Sequence, residues 1–66
     1  MITLEQCGLI YRAEVRYAGH YFRWDFTRET SNTACVQIGL AAYSADTPID
    51  YLVATLLCRL IRDNVQ

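Results

Sequence analysis

Apolar and polar positions alternate with a period of two along the first two-thirds of the chain, and the period lengthens to about 3.6 in the last third. From Leu9 to Tyr17 the residues Leu9, Tyr11, Ala13, Val15 and Tyr17 take turns with Ile10, Arg12, Glu14 and Arg16. Successive side chains of an extended chain point to opposite faces, so this pattern predicts a half-buried strand. Ala18-Gly19 follows, and glycine adopts positive φ without steric cost, which predicts a hairpin. Beyond it Phe22, Trp24 and Phe26 share one face while Tyr21, Arg23, Asp25 and Thr27 share the other, a second strand. The polar run Arg28-Glu29-Thr30-Ser31-Asn32 predicts a turn. From Thr33 to Tyr43, Ala34, Val36, Ile38 and Leu40 alternate with Cys35, Gln37, Gly39, Ala41 and Tyr43. This predicts a third strand whose outward row carries no charge.

A helix is predicted next. Thr47 is suited to cap it, Pro48 to its first position, and Asp50 to the positive end of its dipole. Ile49, Leu52, Val53, Leu56, Leu57, Leu60 and Ile61 then form one apolar stripe, with Arg62 near the C-terminal end. A helix from Pro48 to Asn64 is roughly 25 Å long at 1.5 Å per residue, about the length of an eight-residue strand. The expected fold is therefore α+β: a three-stranded antiparallel β-sheet with one C-terminal helix (β-β-β-α). The helix is expected to cover the face that carries Tyr11, Val15, Phe22, Trp24, Phe26, Val36 and Ile38. Thr3 and Gln6 stand at capping spacing and suggest a short helical turn over Thr3 to Cys7.

Composition bounds the function. The chain has 66 residues, 53% of them apolar, and shows no internal repeat or linker, so one domain over residues 1–66 is expected. A domain this small buries only about 60% of its unfolded surface, which leaves little room for both a core and an enclosed cleft. A self-contained enzyme is not expected. Six basic side chains against seven acidic ones give a net charge of −1, which fits neither a basic nucleic-acid module nor an acidic tail. No positively charged start precedes a long apolar run, and the apolar stretch from Tyr51 to Leu57 falls short of the roughly 20 residues a bilayer requires. A soluble cytoplasmic protein without membrane contact is expected. Cys7, Cys35 and Cys58 are an odd number at wide spacing, read as reduced, small apolar residues.

The chemistry-bearing residues point to binding. His20 is the sole histidine and sits beside a tight turn, where a solvated residue is expected rather than a base for a cysteine or serine nucleophile. No close Cys-x-x-Cys pair suits zinc, and Gly8, Gly19 and Gly39 are isolated rather than gathered into a phosphate loop. No catalytic residue, metal or cofactor is expected. Glu14 and Asp25 fall on the outward face of adjacent strands, Glu29 in the following turn, and Asp46 and Asp50 flank the helix start. Spaced negative charge of this kind can stand in for phosphates before a basic groove; equally, Glu14 and Asp25 can pair with Arg12, Arg16 or Arg23 across the sheet. All six basic residues are arginine, a side chain common at binding hot spots, although a high-GC genome has the same effect. Tyr21 and Tyr43 are expected outward, beside the uncharged row, leaving an aromatic surface for a partner or a second copy.

The small size, the absence of lysine-rich segments, the missing catalytic set and the strand-strand-strand-helix order from Leu9 to Asn64 resemble the short phage or mobile-element anti-CRISPR proteins that act on type I CRISPR-Cas. This is a resemblance of architecture, without a diagnostic motif. It implies a non-enzymatic inhibitor that docks on a multi-subunit effector complex and obstructs target-DNA recognition, in some members as a DNA mimic. The net charge of −1 departs from the strongly acidic mimics and leaves a local acidic patch as the form such mimicry would take. Glu14, Tyr21, Asp25, Glu29 and Tyr43 are the expected contacts. Two competing readings stand beside it. One is a nucleic-acid module using Arg12, Arg16 and Arg23, with Tyr21 or Tyr43 stacking on bases. The other is a homo-oligomeric phage component, a homodimer for instance, joined through the edge of the third strand.

Overall fold

A computed structural model describes residues 1–44 and 49–65. It contains strands β1 (Ile2–Cys7), β2 (Ile10–Tyr17) and β3 (His20–Phe26), then helices α1 (Ser31–Ala41) and α2 (Tyr51–Val65). The strands form one antiparallel sheet in the order β1-β2-β3. The fold is α+β with three antiparallel strands as expected, but two elements differ from the sequence reading.

Residues Thr3 to Cys7 belong to a strand, not a helical turn. Ile2 and Leu4 are half-buried opposite Val15 and Ala13, while Glu5 faces solvent opposite Arg12. Gly8 has φ +63° and Leu9 stays out of the positive region, so a two-residue turn returns the chain into β2. The N-terminal ammonium donates to the Arg16 carbonyl at 2.7 Å, and the Arg16 amide donates to the Met1 carbonyl at 2.9 Å. The ladder thus extends one residue beyond the strand.

The predicted third strand from Thr33 to Tyr43 is a helix over Ser31–Ala41. Its buried residues, Ser31, Ala34, Cys35 and Ile38, follow helical spacing. Val36, predicted to face the core, is exposed. The misreading has a physical source: Val36 and Leu40 on the outer side are as apolar as Ala34 and Ile38 on the inner side, so an apolar residue recurs at every second position whichever structure forms. A dimer through the edge of this segment falls with the strand, because a helix satisfies its backbone internally and offers no edge. The turn before α1 holds itself together, with the Thr27 amide donating to Thr30 Oγ1 at 2.9 Å and Ser31 Oγ donating to the Arg28 carbonyl at 2.8 Å.

The last helix begins at Tyr51, with Asp50 Oδ1 accepting from the Val53 amide at 2.8 Å. Asp50 thereby acts as the cap; Thr47 and Pro48, expected in that role, lie outside the described residues. The buried face of α2 runs through Ala54, Leu57, Ile61 and Val65, while Leu52 and Leu56 of the predicted stripe are exposed. The face has rotated because α1 occupies a flank that a single-helix fold leaves to water. Small residues there allow the approach, and Cys58 Sγ lies 3.5 Å from the Cys35 carbonyl.

The two helices lie side by side on one face of the sheet, α1 toward β3 and α2 toward β1. Tyr11, Ala13, Val15 and Phe26 from the sheet meet Ala34, Cys35, Ile38, Ile49, Ala54, Leu57, Ile61 and Val65 in the core. Tyr11 and Phe26 stack at 5.8 Å between centroids, and half-buried Phe22 and Trp24 stack at 6.3 Å. No helix among the described residues is long and apolar enough to cross a membrane.

Candidate functional site

The alternation that buries Tyr11, Ala13 and Val15 sends Arg12, Glu14 and Arg16 to the other face of the sheet. Register then decides their neighbours. Arg12 stands between Glu5 and Asp25, Glu14 between Thr3 and Arg23, and Arg16 beside Tyr21. Among the described residues no element packs on this face: Arg12, Asp25, Arg23, Arg16 and Tyr21 are all exposed.

The charges on it are engaged with one another. Arg12 Nε donates to Asp25 Oδ1 at 3.2 Å, and Arg23 Nε lies 3.7 Å from the other carboxylate oxygen. Arg16 Nη2 is 3.8 Å from Glu14 Oε2, and its guanidinium sits 5.2 Å from the centroid of the Tyr21 ring, within cation–π range. The hydrogen bond that Arg12 donates to Asp25, reinforced by that carboxylate's charge, holds the Arg12 guanidinium protonated even more firmly than usual. The result is a ladder of opposite charges along a pleated surface, ending in a tyrosine stacked under an arginine.

At the Tyr21 end the hairpin turns through Ala18 (φ +51°) and Gly19 (φ +80°), two consecutive positive values that define the type I′ turn suited to strand twist. Alanine in this region is strained, at a cost of about 1 kcal/mol. The tip projects past the helices, so Tyr17 is exposed although its row is the inward one, and His20 is exposed and stacks on Phe22 at 6.5 Å. Arg16, Tyr17, His20 and Tyr21 border an open depression of about 440 Å³. The alternation of β2 puts Tyr17 in the inward row. The signal that places it outside is its position immediately before a two-residue loop, where helical cover ends.

The expected contacts divide three ways. Glu14, Tyr21 and Asp25 share the open face. Glu29 lies beyond Phe26 in the turn leading to α1, where its own backbone amide and then Thr27 hold its carboxyl below the usual range. Tyr43 follows α1 on the helical layer, on the opposite side of the molecule from Tyr21. Both acids pair with arginines: Asp25 with Arg12 across the strands, as one of the two readings open from sequence had it, and with Arg23 along its own, and Glu14 with Arg16 along its own strand. As for reactive groups, burial and the neighbouring Cys35 push the Cys58 thiol up to about 11, so near neutral pH it stays protonated and is no nucleophile. Among the described residues no three His, Cys, Asp or Glu side chains gather as a metal site.

No family model, curated protein or solved structure matches the chain significantly.

Proposed function

We propose that the chain is a non-enzymatic inhibitor that docks on a protein or nucleoprotein complex through the open face of its sheet, in the manner of an anti-CRISPR protein on a type I effector. The observation that supports this reading is the open face itself: exposed Arg12, Arg16, Tyr21, Arg23 and Asp25, with half-buried Glu14 among them, on a sheet whose reverse is packed with two helices. Arginine and tyrosine supply large contact area and directed donors, and side chains already held by one another lose little freedom when a partner arrives. Acting on such a target places the protein in the cytoplasm of a bacterial host.

The charge ladder favours direct protein contacts over phosphate mimicry. Asp25 is shared by two arginines and Glu14 is neighboured by a third, so the face carries no isolated run of negative charge. The same pairing weighs against nucleic-acid binding, since Arg12, Arg16 and Arg23 already spend their charge on carboxylates.

Size-exclusion chromatography of the protein mixed with a purified type I effector complex tests the reading. Co-elution is expected, together with an affinity loss of roughly 30-fold or more for the Arg16→Ala/Tyr21→Ala double variant, the scale of a hot-spot pair. Separate elution at micromolar concentrations of both components rejects it. Asp25→Ala with Glu29→Ala separates the two routes: a loss of affinity confined to low salt points to an acidic patch after all.

A further inference from the structure

The helical layer has an outer surface that the docking face does not explain. From Thr30 to Ser44 the chain carries no charged residue, and α1 bears apolar residues on both sides. Its inner side buries Ala34, Cys35 and Ile38, while on its outer side Val36 is 61% and Leu40 65% exposed. The outer side also exposes Asn32, Thr33 and Gln37, so Val36 and Leu40 are large apolar side chains left in water among uncharged polar ones. Beside Leu40 and Val36 runs a groove of about 320 Å³ between α1 and α2, floored by Gly39, Ala42, Ala54 and Cys58. Tyr43 and Tyr51, 79% and 70% exposed, stand at one end of it, and Arg59 and Arg62 line the other. Tyr43 is not loose, since its amide donates to the Leu40 carbonyl at 3.1 Å.

Gly39 supplies the second observation. Glycine inside a helix weakens it relative to alanine, and a chain tolerates that where something must come close. Among the described residues nothing does: a Cβ built on Gly39 meets no atom within 4 Å, and its φ is not positive. The space above Gly39 is open to a backbone from outside. Charge then indicates what approaches. Along α2, Asp50 precedes the uncharged stretch from Tyr51 to Cys58, and Arg59, Arg62 and Asp63 follow it, so the start of the helix carries a net −1 and its last turns a net +1. Neither arginine has an ion-pair partner among the described residues. Opposite net charges at the two ends are self-complementary when two copies lie antiparallel, because Asp50 of each then meets the arginine-bearing end of the other.

We propose that this groove is a homodimer interface, in which the helical layers of two copies face each other antiparallel about a twofold axis, with a backbone close to Gly39. A specific dimer buries about 600 Å² or more per copy, a modest part of the 4554 Å² surface, and the uncharged outer side of α1 with the two tyrosines provides an apolar centre for it. Such a dimer leaves both sheet faces pointing outward.

Sedimentation velocity on the full chain, from low micromolar to about millimolar concentration, tests this. The sedimentation coefficient should rise to that of a dimer, and the dissociation constant should increase with salt because Asp50 pairs with arginine across the interface. Gly39→Leu adds only apolar volume, and its Cβ is unopposed within the monomer; it should leave the fold intact by circular dichroism and weaken the dimer at least tenfold. Leu40→Arg, on the exposed rim, should do the same and decides the matter if the glycine variant misfolds. A monomer at every concentration overturns the proposal and assigns the groove to a different protein. A dimer indifferent to the substitutions overturns it equally.

Discussion

The two outward surfaces of this protein are built on opposite plans. On the sheet face Arg12, Glu14, Arg16, Arg23 and Asp25 alternate in sign and hold one another, Arg12 and Asp25 across strands and the other two pairs along one strand. On the helical face Val36 and Leu40 stand exposed on α1, and exposed Tyr43 and Tyr51 line a groove between the helices. The first is comfortable in water and becomes specific only before a matching surface. The second loses free energy in water and gains it under any apolar cover. Recognition and self-association are proposed for different sides, and the core between them, drawn from both layers, must hold those sides apart.

That core gives the largest expected effect. Leu57 and Ile38 are fully buried, one on each helix. Leu57→Ala or Ile38→Ala should destabilise by about 2–5 kcal/mol in urea denaturation; a loss below about 1 kcal/mol for both means the helices do not seal the sheet. The hairpin tip comes next. Ala18 sits at φ +51°, so Ala18→Gly should raise stability by roughly 0.5–1 kcal/mol through relief of that strain. An unchanged or lower melting temperature contradicts the type I′ geometry there.

Cys58 offers a pH test of how tightly the helices meet. Its folded-state thiol titrates near 11 against an ordinary 9.0, so the folded protein holds the proton more firmly than the unfolded chain. The associated stability is complete below pH 9 and is lost as the pH climbs toward 11. Cys58→Ala should flatten that part of the alkaline limb, and an identical limb in both proteins places the thiol in water. The smallest stability change belongs to the sheet face. Asp25→Ala removes the partner of Arg12 and Arg23, yet exposed pairs of this kind contribute little. Its melting curve should nearly overlay the parent's while binding to the partner falls, a separation of stability from function that a structural role for Asp25 does not allow.

The same contrast explains how far the sequence could be read. β2 and β3 were legible because charge and apolarity segregate cleanly between Arg12, Glu14, Arg16 and Tyr11, Ala13, Val15, and because Ala18-Gly19 fixes the register. Asp25 and Glu14 could be placed opposite arginines for the same reason. β1 is shorter and its alternation covers only Ile2 to Glu5, too little to outweigh the capping spacing of Thr3 and Gln6. α1 was hidden because it lacks segregation altogether. Val36 and Leu40 carry the apolar character of a core position without occupying one, and a periodicity argument assumes that apolar residues face inward within one chain. Missing α1 also misdirected α2, whose buried face turned toward Ala54 and Cys58 to meet a helix the pattern did not show, and it put Tyr43 on the wrong side of the molecule. In α1 the residues that misled, Val36 and Leu40, are those whose burial, on this account, is completed by a second copy.

The most direct test of the central claim is a titration of target-DNA binding by a purified type I effector complex against three folded proteins: the parent chain, Arg16→Ala/Tyr21→Ala on the sheet face, and Val36→Ser/Leu40→Ser on the helical face. The account predicts that the parent blocks DNA binding, that the sheet-face variant fails at concentrations more than tenfold higher, and that the helical-face variant keeps contacts with the complex. DNA binding unaltered at saturating parent protein, or inhibition lost only in the helical-face variant, contradicts it.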